Sequence, residues 1–209
     1  MNINLLEQIK KDGYLILKRE NLNFDFDFEE LDKVFDFYIK NEETLFLNVR
    51  FHNEGTIEIK NSSEIEKIIE DSKSKKNWFQ IWKSAPLFDE SKDLIKAYNS
   101  KIVELIYGVS PTGIHSEFSS FTQECAIKLH RDASDNNPNR LCAVLNYINE
   151  GWQQEYGGCL ILENGEIIIP ERNTIVILDF TENNLLHEVT PVNVNKSRLS
   201  LTSFIDYEK

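Results

Sequence analysis

The chain has 209 residues, of which 41% are hydrophobic and 28% are charged, and this composition predicts a globular protein with one sizeable core. The formal net charge of −12 argues against a nucleic-acid-binding protein, which needs a dense surface of lysine and arginine. No apolar run approaches the roughly 18 residues of a membrane-spanning helix, and the N-terminus has no signal-peptide pattern. We therefore expect neither a nucleic acid nor a membrane as partner.

The first half of the sequence predicts helices with a few short strands. Leu5, Leu6 and Ile9 fit a short helix that stops at Gly13, before the apolar strand YLIL. The segment FEELDKVFDFYIK predicts a second helix with one buried face. Its apolar residues are Leu31, Val34, Phe35, Tyr38 and Ile39.

Further along, TLFLNVRFHNEGTIEIK predicts two strands around a turn at residues 53–55. A capping-box pattern at residues 63–66 starts another predicted helix. Trp78 and Trp82 are interpreted as core residues under this helical half. A long amphipathic helix is expected over residues 91–107, where a glycine follows.

From about residue 114, short β-rich segments alternate with clusters of turn-forming residues, and eight such strands predict a jelly roll. The predicted fold class is α+β with a mainly β core and N-terminal packing helices. We expect a single domain, residues 1–209, in which residues 1–108 support a β core formed by residues 109–209. The eight segments are IHSEFSSFT, CAIKLHRD, LCAVLNYIN, GCLILE, EIIIP, TIVILDF, LLHEV and RLSLTSFI.

The three cysteines have no zinc-site spacing, and their odd number predicts reduced thiols in a cytoplasmic protein. We interpret them as small buried side chains rather than redox groups. They are Cys125, Cys142 and Cys159.

The segment KLHRD places two potential metal ligands, His130 and Asp132, two residues apart at the end of a strand. Residues i and i+2 of a strand share a face, so both side chains can bind one ion. The same alternation predicts Lys128 on this face and the apolar Ile127 and Leu129 on the opposite one. A His-x-Asp pair alone is more often a strand-end ion pair, so the metal interpretation depends on a third ligand.

His187 is the candidate for that third ligand, because His52 and His115 have no partner at a useful spacing. Two histidines and one carboxylate form the facial triad of non-haem Fe(II) oxygenases, which leaves coordination positions open for substrate and O₂.

A later strand has one polar face, formed by Arg198, Ser200 and Thr202. A guanidinium that points into a β barrel is unfavourable unless it meets an anion. A co-substrate with a carboxylate would satisfy Arg198 in a bidentate pair, and Ser200 would add a hydroxyl donor.

The order His-x-Asp, a distant His, and Arg eleven residues later resembles the Fe(II)/2-oxoglutarate-dependent dioxygenase superfamily. The segments AVLNYIN, GW…YGGCLIL and IVILDF…LHEVTPV…SRLSLTSF are similar to its prolyl 4-hydroxylase-like branch, over roughly residues 110–207. The resemblance implies a double-stranded β-helix, which is the jelly-roll variant of these enzymes.

The resemblance further implies that His130, Asp132 and His187 bind Fe(II) as the catalytic centre, and that Arg198 and Ser200 bind 2-oxoglutarate. It implies O₂ as the second co-substrate, ascorbate as a candidate auxiliary reductant, and release of succinate and CO₂. Related halogenases replace the carboxylate ligand with a small residue, so Asp132 favours hydroxylation. The expected substrate is a small molecule or peptide, and the expected reaction hydroxylates an unactivated C–H bond of an amino acid, free or in a peptide.

Four further residues are candidates for the pocket around this centre: Lys128, Asn146, Tyr147 and Trp152. Asn146 and Tyr147 lie on opposite faces of one strand, so only one of them can point inward. Core packing is the favoured role for Trp152, and Lys128 is expected to lay its stem along the barrel wall. Residues 133–139 are rich in turn formers and form either a lid or a solvated loop.

Two alternatives stay open. A non-catalytic jelly-roll protein could retain the metal site as scaffolding. An iron dioxygenase of the cupin type would use no oxo-acid co-substrate, but such sites usually contain more histidines than a chain with four can readily supply.

Overall fold

The computed structural model describes residues 4–46, 48–51, 55–58, 64, 67–68, 71, 81–132 and 139–208. Within these residues the labelled helices are α1 (Leu5–Asp12), α2 (Phe28–Lys40), α3 (Glu42–Leu45) and α4 (Asp89–Tyr107), with 3₁₀ turns at Arg19–Asn21 and Gln154–Tyr156. The strands are β1 (Tyr14–Lys18), β2 (Asn48–Phe51), β3 (Gly55–Glu58), β4 (Ile81–Pro86), β5 (Gly113–Phe121), β6 (Ile127–His130), β7 (Arg140–Tyr147), β8 (Leu160–Leu162), β9 (Ile167–Ile168), β10 (Thr174–Asp179), β11 (His187–Val189) and β12 (Arg198–Asp206).

The strands form two antiparallel sheets. The larger sheet has the order β1-β10-β7-β12-β5-β4-β2-β3, and the smaller has the order β6-β11-β8-β9. Strands β1 to β4 belong to the N-terminal region, so this region extends the larger sheet at both edges as well as supplying helices. The result is a double-stranded β-helix flanked by helices, and the predicted fold class is confirmed.

The larger sheet is buried on both faces, as β7 illustrates. Cys142 and Val144 pack towards the helices, in a cluster that includes residues of α1, α2 and α4. Ala143, Leu145 and Tyr147 alternate with them and pack between the two sheets. A strand buried on both faces needs no polar alternation, and this explains the nearly continuous apolar sequence of β7.

Helix α1 ends at Gly13 as the sequence predicts, and it begins at a side-chain cap that the sequence analysis did not identify. The Asn4 side chain accepts a hydrogen bond from the Glu7 backbone N–H, and Gly13 ends the helix with φ of 80°. A Cβ at Gly13 would lie 2.8 Å from the Cβ of Asn183, so this left-handed position favours glycine for both reasons. None of the helices in the described residues is long and apolar enough to cross a membrane.

The other helices follow their predicted faces. Leu31, Phe35 and Tyr38 of α2 are buried, and α4 begins two residues before its predicted start and is followed by the left-handed Gly108. The capping residues Ser63 and Glu66, together with Trp78, His52 and residues 133–138, lie outside the described residues.

Two leucine truncations test which packing stabilises this fold. Leu201 of β12 is fully buried, whereas Leu105 of α4 is 40% exposed. Leu201→Ala should lower the free energy of unfolding by about 2–5 kcal/mol, because it leaves a cavity at the centre of the larger sheet. Leu105→Ala should lower it by less than about 1 kcal/mol, since that side chain remains largely hydrated. Urea denaturation measures both, and an equal loss for the two variants would contradict this account of the core.

Candidate active site

Three potential ligands from β6, β11 and the residues after β6 converge between the sheets. His130 ends β6, His187 begins β11, and the two are direct partners in the antiparallel ladder. Asp132 lies against both imidazoles, with Oδ1 3.2 Å from Nε2 of His130 and Oδ2 3.4 Å from Nε2 of His187. The ligand atoms of all three residues lie within 4.8 Å of one another, and no other such group occurs in the described part of the chain.

Backbone carbonyls orient the two imidazoles. Nδ1 of His130 lies 2.7 Å from the carbonyl oxygen of Lys128, and Nδ1 of His187 lies 3.1 Å from that of Leu185. When each Nδ1–H donates to its carbonyl, each Nε2 keeps a lone pair directed towards the space beside Asp132. Two such nitrogens and one carboxylate match the donor set of a facial Fe(II) site, so the residues present fit this metal.

The protonation of the triad is coupled. Burial alone would raise the pKa of Asp132, but hydrogen bonds from His130 and His187 and their charge hold it well below its usual range. Burial alone would lower the pKa of His187, and the carboxylate of Asp132 outweighs that effect and raises it. A proton on Nε2 of His187 therefore competes with a metal ion for the same lone pair.

Strand β6 departs from the alternation that the sequence predicts. His187 pairs with His130 but Val189 pairs with Ile127, so β6 contains one more residue than its partner over this stretch, a β-bulge. As a result Ile127 lines the same cavity as His130. Leu129 is instead 55% exposed. The prediction that Ile127 and Leu129 share the face away from the ligands was wrong because regular alternation fails at a bulge.

A cavity of ≈ 170 Å³ connects the triad with Arg198. Arg198 is 2% exposed, and its guanidinium carbon lies 4.8 Å from the ring centroids of both Phe121 and Tyr147. Its Nε donates to the carbonyl oxygen of Gly158 at 3.2 Å, and Nη1 donates to Oγ of Ser200 at 3.0 Å. Nη2 of Arg198 and the hydroxyl of Tyr147 are buried and make no hydrogen bond of good geometry, although the two side chains lie close enough to interact electrostatically with each other.

These two unsatisfied groups indicate a place for an anion. Burial lowers the pKa of Arg198, as expected for a cation removed from water, and burial raises the pKa of Tyr147, so its hydroxyl remains a donor near neutral pH. Among the described residues, no carboxylate forms an ion pair with Arg198. A ligand carboxylate could accept from both groups, which fits the end of 2-oxoglutarate that lies away from the metal.

The structure distributes the other pocket candidates differently. Tyr147 points between the sheets, where its ring contacts the Arg198 guanidinium although it does not itself line the cavity. Asn146 points to the opposite face of β7, and Lys128 is exposed on β6 and does not line the cavity. Trp152 is 6% exposed and donates from Nε1 to the carbonyl oxygen of Gly157 at 2.8 Å, in the core rather than on the cavity wall. The geometry therefore does not support a pocket role for Lys128, Asn146 or Trp152.

Sequence reasoning missed most of the cavity wall, including Trp82, Glu117 and Ser119. Trp82 lies on β4, which was not predicted, and its ring stacks on Phe121 with a centroid distance of 5.8 Å and an interplanar angle of 8°. Its assignment to the core under the helices was wrong because β4 pairs with β5 in the larger sheet. The alternation of Glu117, Ser119 and Phe121 along HSEFSSF is the signal that could have indicated a mixed inner face.

The comparison with protein families agrees with this geometry. Residues 116–206 match the family model described as the 2OG-Fe(II) oxygenase superfamily. This segment contains the three residues of the triad and also Arg198. The resemblance found in the sequence is thereby confirmed. The matched family implies Fe(II), 2-oxoglutarate and O₂ for residues 116–206, the part of the chain that its model covers. No curated protein matches the sequence.

Several solved structures share the fold. One is a Pseudomonas putida prolyl-4-hydroxylase, with 15% identity and a TM-score of 0.63 over 98% of this chain and 97% of that chain. Another is a prolyl hydroxylase from Trichoplax adhaerens in complex with a hypoxia inducible factor peptide fragment, with 19% identity and a TM-score of 0.65 over 97% and 87%. A third is the viral collagen prolyl hydroxylase of Paramecium Bursaria Chlorella virus-1 in a 2OG complex, with 12% identity and a TM-score of 0.58 over 95% and 97%.

The pH dependence of metal binding tests the triad. Because His187 has a pKa raised above 6.5, a metal ion must displace a proton at lower pH and displaces none well above that pKa. The affinity of the metal-free protein for Mn²⁺ should rise with pH through this range, by up to about tenfold per pH unit for one displaced proton, and then level off. Isothermal titration calorimetry measures it. His187→Gln should weaken binding and remove the steep region, and a pH-independent affinity in the unsubstituted protein would contradict the assignment.

Proposed function

We propose, from the membership of residues 116–206 in the 2OG-Fe(II) oxygenase superfamily, that the protein hydroxylates an unactivated C–H bond of an amino acid, free or within a peptide. Substrate, 2-oxoglutarate and O₂ would give hydroxylated substrate, succinate and CO₂. The observation that carries the proposal is a single cavity with the His130, Asp132 and His187 triad at one place and a buried, incompletely paired Arg198 at another.

The roles of the residues follow from their contacts. His130, Asp132 and His187 would hold Fe(II), which supplies O₂ activation coupled to the oxidation of 2-oxoglutarate. Arg198 and the hydroxyl of Tyr147 would bind the far carboxylate of this co-substrate. The guanidinium is held in place for that contact by its hydrogen bonds to Ser200 and to a backbone carbonyl. Anchoring one end in this way fixes which end of the co-substrate meets the metal.

The walls of the cavity support a reaction away from bulk water. Apolar side chains from both sheets line the cavity that connects the triad with Arg198 and limit hydration there, which strengthens ionic contacts and disfavours side reactions. These residues are Phe121, Ile127, Leu145, Leu160 and Val189.

Two observations support hydroxylation of an amino-acid substrate. Asp132 retains the carboxylate that halogenases of this superfamily lack. The three solved structures described above are prolyl hydroxylases by name, and one is in complex with a peptide. A non-catalytic metal-binding protein is disfavoured, because it would gain nothing from an incompletely paired guanidinium buried beside the metal site.

The reaction class is tested by spectroscopy and product analysis. Anaerobic mixing with Fe(II) and 2-oxoglutarate should give a weak visible charge-transfer band, and admission of O₂ should convert 2-oxoglutarate to succinate. His187→Ala should lose both signals because it removes one of the two imidazole ligands. Iron that binds without producing the band, or succinate formation independent of O₂, would argue decisively against the proposal.

The proposed binding of 2-oxoglutarate by Arg198 and Tyr147 is tested by measuring the affinity for 2-oxoglutarate and the affinity for Mn²⁺ separately. Arg198→Gln should weaken 2-oxoglutarate binding by about 30-fold or more, as expected when a buried charge pair is lost. Tyr147→Phe should weaken it by about tenfold, the effect of one hydrogen bond to a charged group. Mn²⁺ affinity should change little in either variant.

Asn146→Ala is the matched control, since Asn146 neighbours Tyr147 but points to the opposite face of β7. It should leave 2-oxoglutarate affinity unaltered. If Arg198→Gln weakened metal and 2-oxoglutarate binding equally, the role given to Arg198 would be wrong.

A further inference from the structure

We propose that Glu117 binds a cationic group of the substrate, an ammonium or guanidinium carried on an aliphatic chain. The inference rests on the proposed function and deepens it by naming the substrate class. It starts from the position of Glu117 in the cavity wall.

The cavity has a closed end and an open end. On β5 and β12, Phe121 pairs with Arg198 and Glu117 pairs with Thr202, so the two rows are four residues apart, about 13 Å along the strand. Phe121 and Arg198 are 3% and 2% exposed. The Glu117 side chain is 22% exposed. The co-substrate would therefore occupy the closed end, and Glu117 lies towards the end at which a substrate enters.

Glu117 is the charged group of the described cavity wall that the reaction does not use. The other four are the triad and Arg198. A carboxylate in a mostly apolar wall is stabilised by a cation. The wall thus selects for positive charge at the substrate end, as it selects for negative charge at the co-substrate end.

The carboxylate of Glu117 is held by one ion pair and retains unused hydrogen-bond acceptor capacity. Its Oε2 forms an ion pair with Nη2 of Arg50 on β2. Within the described part of the chain, Oε1 accepts no hydrogen bond, and a carboxylate can accept about four. The Arg50 side chain is 41% exposed and does not line the cavity, so solvent weakens the pair and a substrate cation can share or take over the carboxylate.

The surroundings suit a cation on an aliphatic stem. Trp82 lines the same cavity and stacks on Phe121, offering a flat apolar surface for methylene groups or a ring face for the cation. Thr202, directly opposite Glu117, adds a hydroxyl. The net charge of −12 would also raise the local concentration of cations at the mouth.

The test compares matched probes by succinate formation above the probe-free rate. Nα-acetyl-lysine amide is compared with Nα-acetyl-norleucine amide for a side-chain cation. Norleucine amide is compared with Nα-acetyl-norleucine amide for an α-ammonium. We expect a cationic probe to exceed its neutral partner in at least one pair. Equal rates within both pairs, or no stimulation by any cationic probe, would overturn the proposal.

Substituted variants then test whether Glu117 is the residue that causes the preference for cationic probes. Glu117→Gln should raise KM for the preferred cationic probe by about 10- to 100-fold, as for loss of a charged hydrogen bond, and should remove the cationic preference. The anaerobic band with Fe(II) and 2-oxoglutarate checks that the metal and co-substrate sites of this variant are intact, and its own probe-free succinate rate is subtracted. Glu182→Gln is the control, because Glu182 is ion-paired with Lys10 on the surface and should leave KM unaltered.

Arg50→Gln tests whether the cationic preference depends on the ion pair between Arg50 and Glu117 or on the Glu117 carboxylate alone. The cationic preference should persist in this variant. Retention of the preference in Glu117→Gln would show that another group binds the cation and would overturn the proposal, whatever the result for Arg50→Gln. An absent band in the unsubstituted protein would refute the proposed function itself, whereas a normal band without charge preference would refute the role of Glu117 alone.

Discussion

A positive charge held between two aromatic rings in the interior of the β-helix is the constraint on which the rest of the site depends. Arg198 makes two hydrogen bonds to the protein and has one nitrogen with none. Leaving a buried cation incompletely paired is strongly unfavourable, so a bound dianion would stabilise the folded protein as well as take part in the reaction. Gly158 has φ of 65°, and a Cβ there would lie 3.2 Å from Cγ of Arg198, so a side chain at this position would crowd the arginine.

The strand that carries this charge also carries much of the fold. β12 lies between β5 and β7, and its outward residues Leu199, Leu201 and Ile205 pack against the helix-side core while Arg198 and Ser200 point inward. Stability and the proposed co-substrate contact therefore depend on alternate residues of one strand. The smaller sheet carries His130 and His187, and Asp132 follows β6, so the proposed reaction site forms only where the two sheets face each other.

Much of this arrangement is local in the sequence and could be predicted from it. Each strand of the β core has its own apolar pattern and turn signals, and the ligands are side chains of opposite character to their neighbours at strand ends. The predictions that were wrong or left open concern features that depend on how the strands pair with one another. The bulge that brings Ile127 to the cavity is defined by the pairing of β6 with β11. The position of Trp82 in the cavity wall is likewise defined by its contact with Phe121 on β5. Since β7 is buried on both faces, its sequence could not tell whether Asn146 or Tyr147 points inward. The pairing of Arg50 with Glu117 joins residues 67 positions apart, beyond the reach of any local pattern.

The most direct measurement is a crystal structure of the protein grown without oxygen in the presence of Fe(II) and 2-oxoglutarate, with anomalous data at the iron edge. The account predicts an iron peak bonded to His130, Asp132 and His187, and a co-substrate that chelates this iron while its far carboxylate contacts Arg198 and Tyr147. An iron peak elsewhere, or a co-substrate that leaves Arg198 without a carboxylate partner, would contradict it.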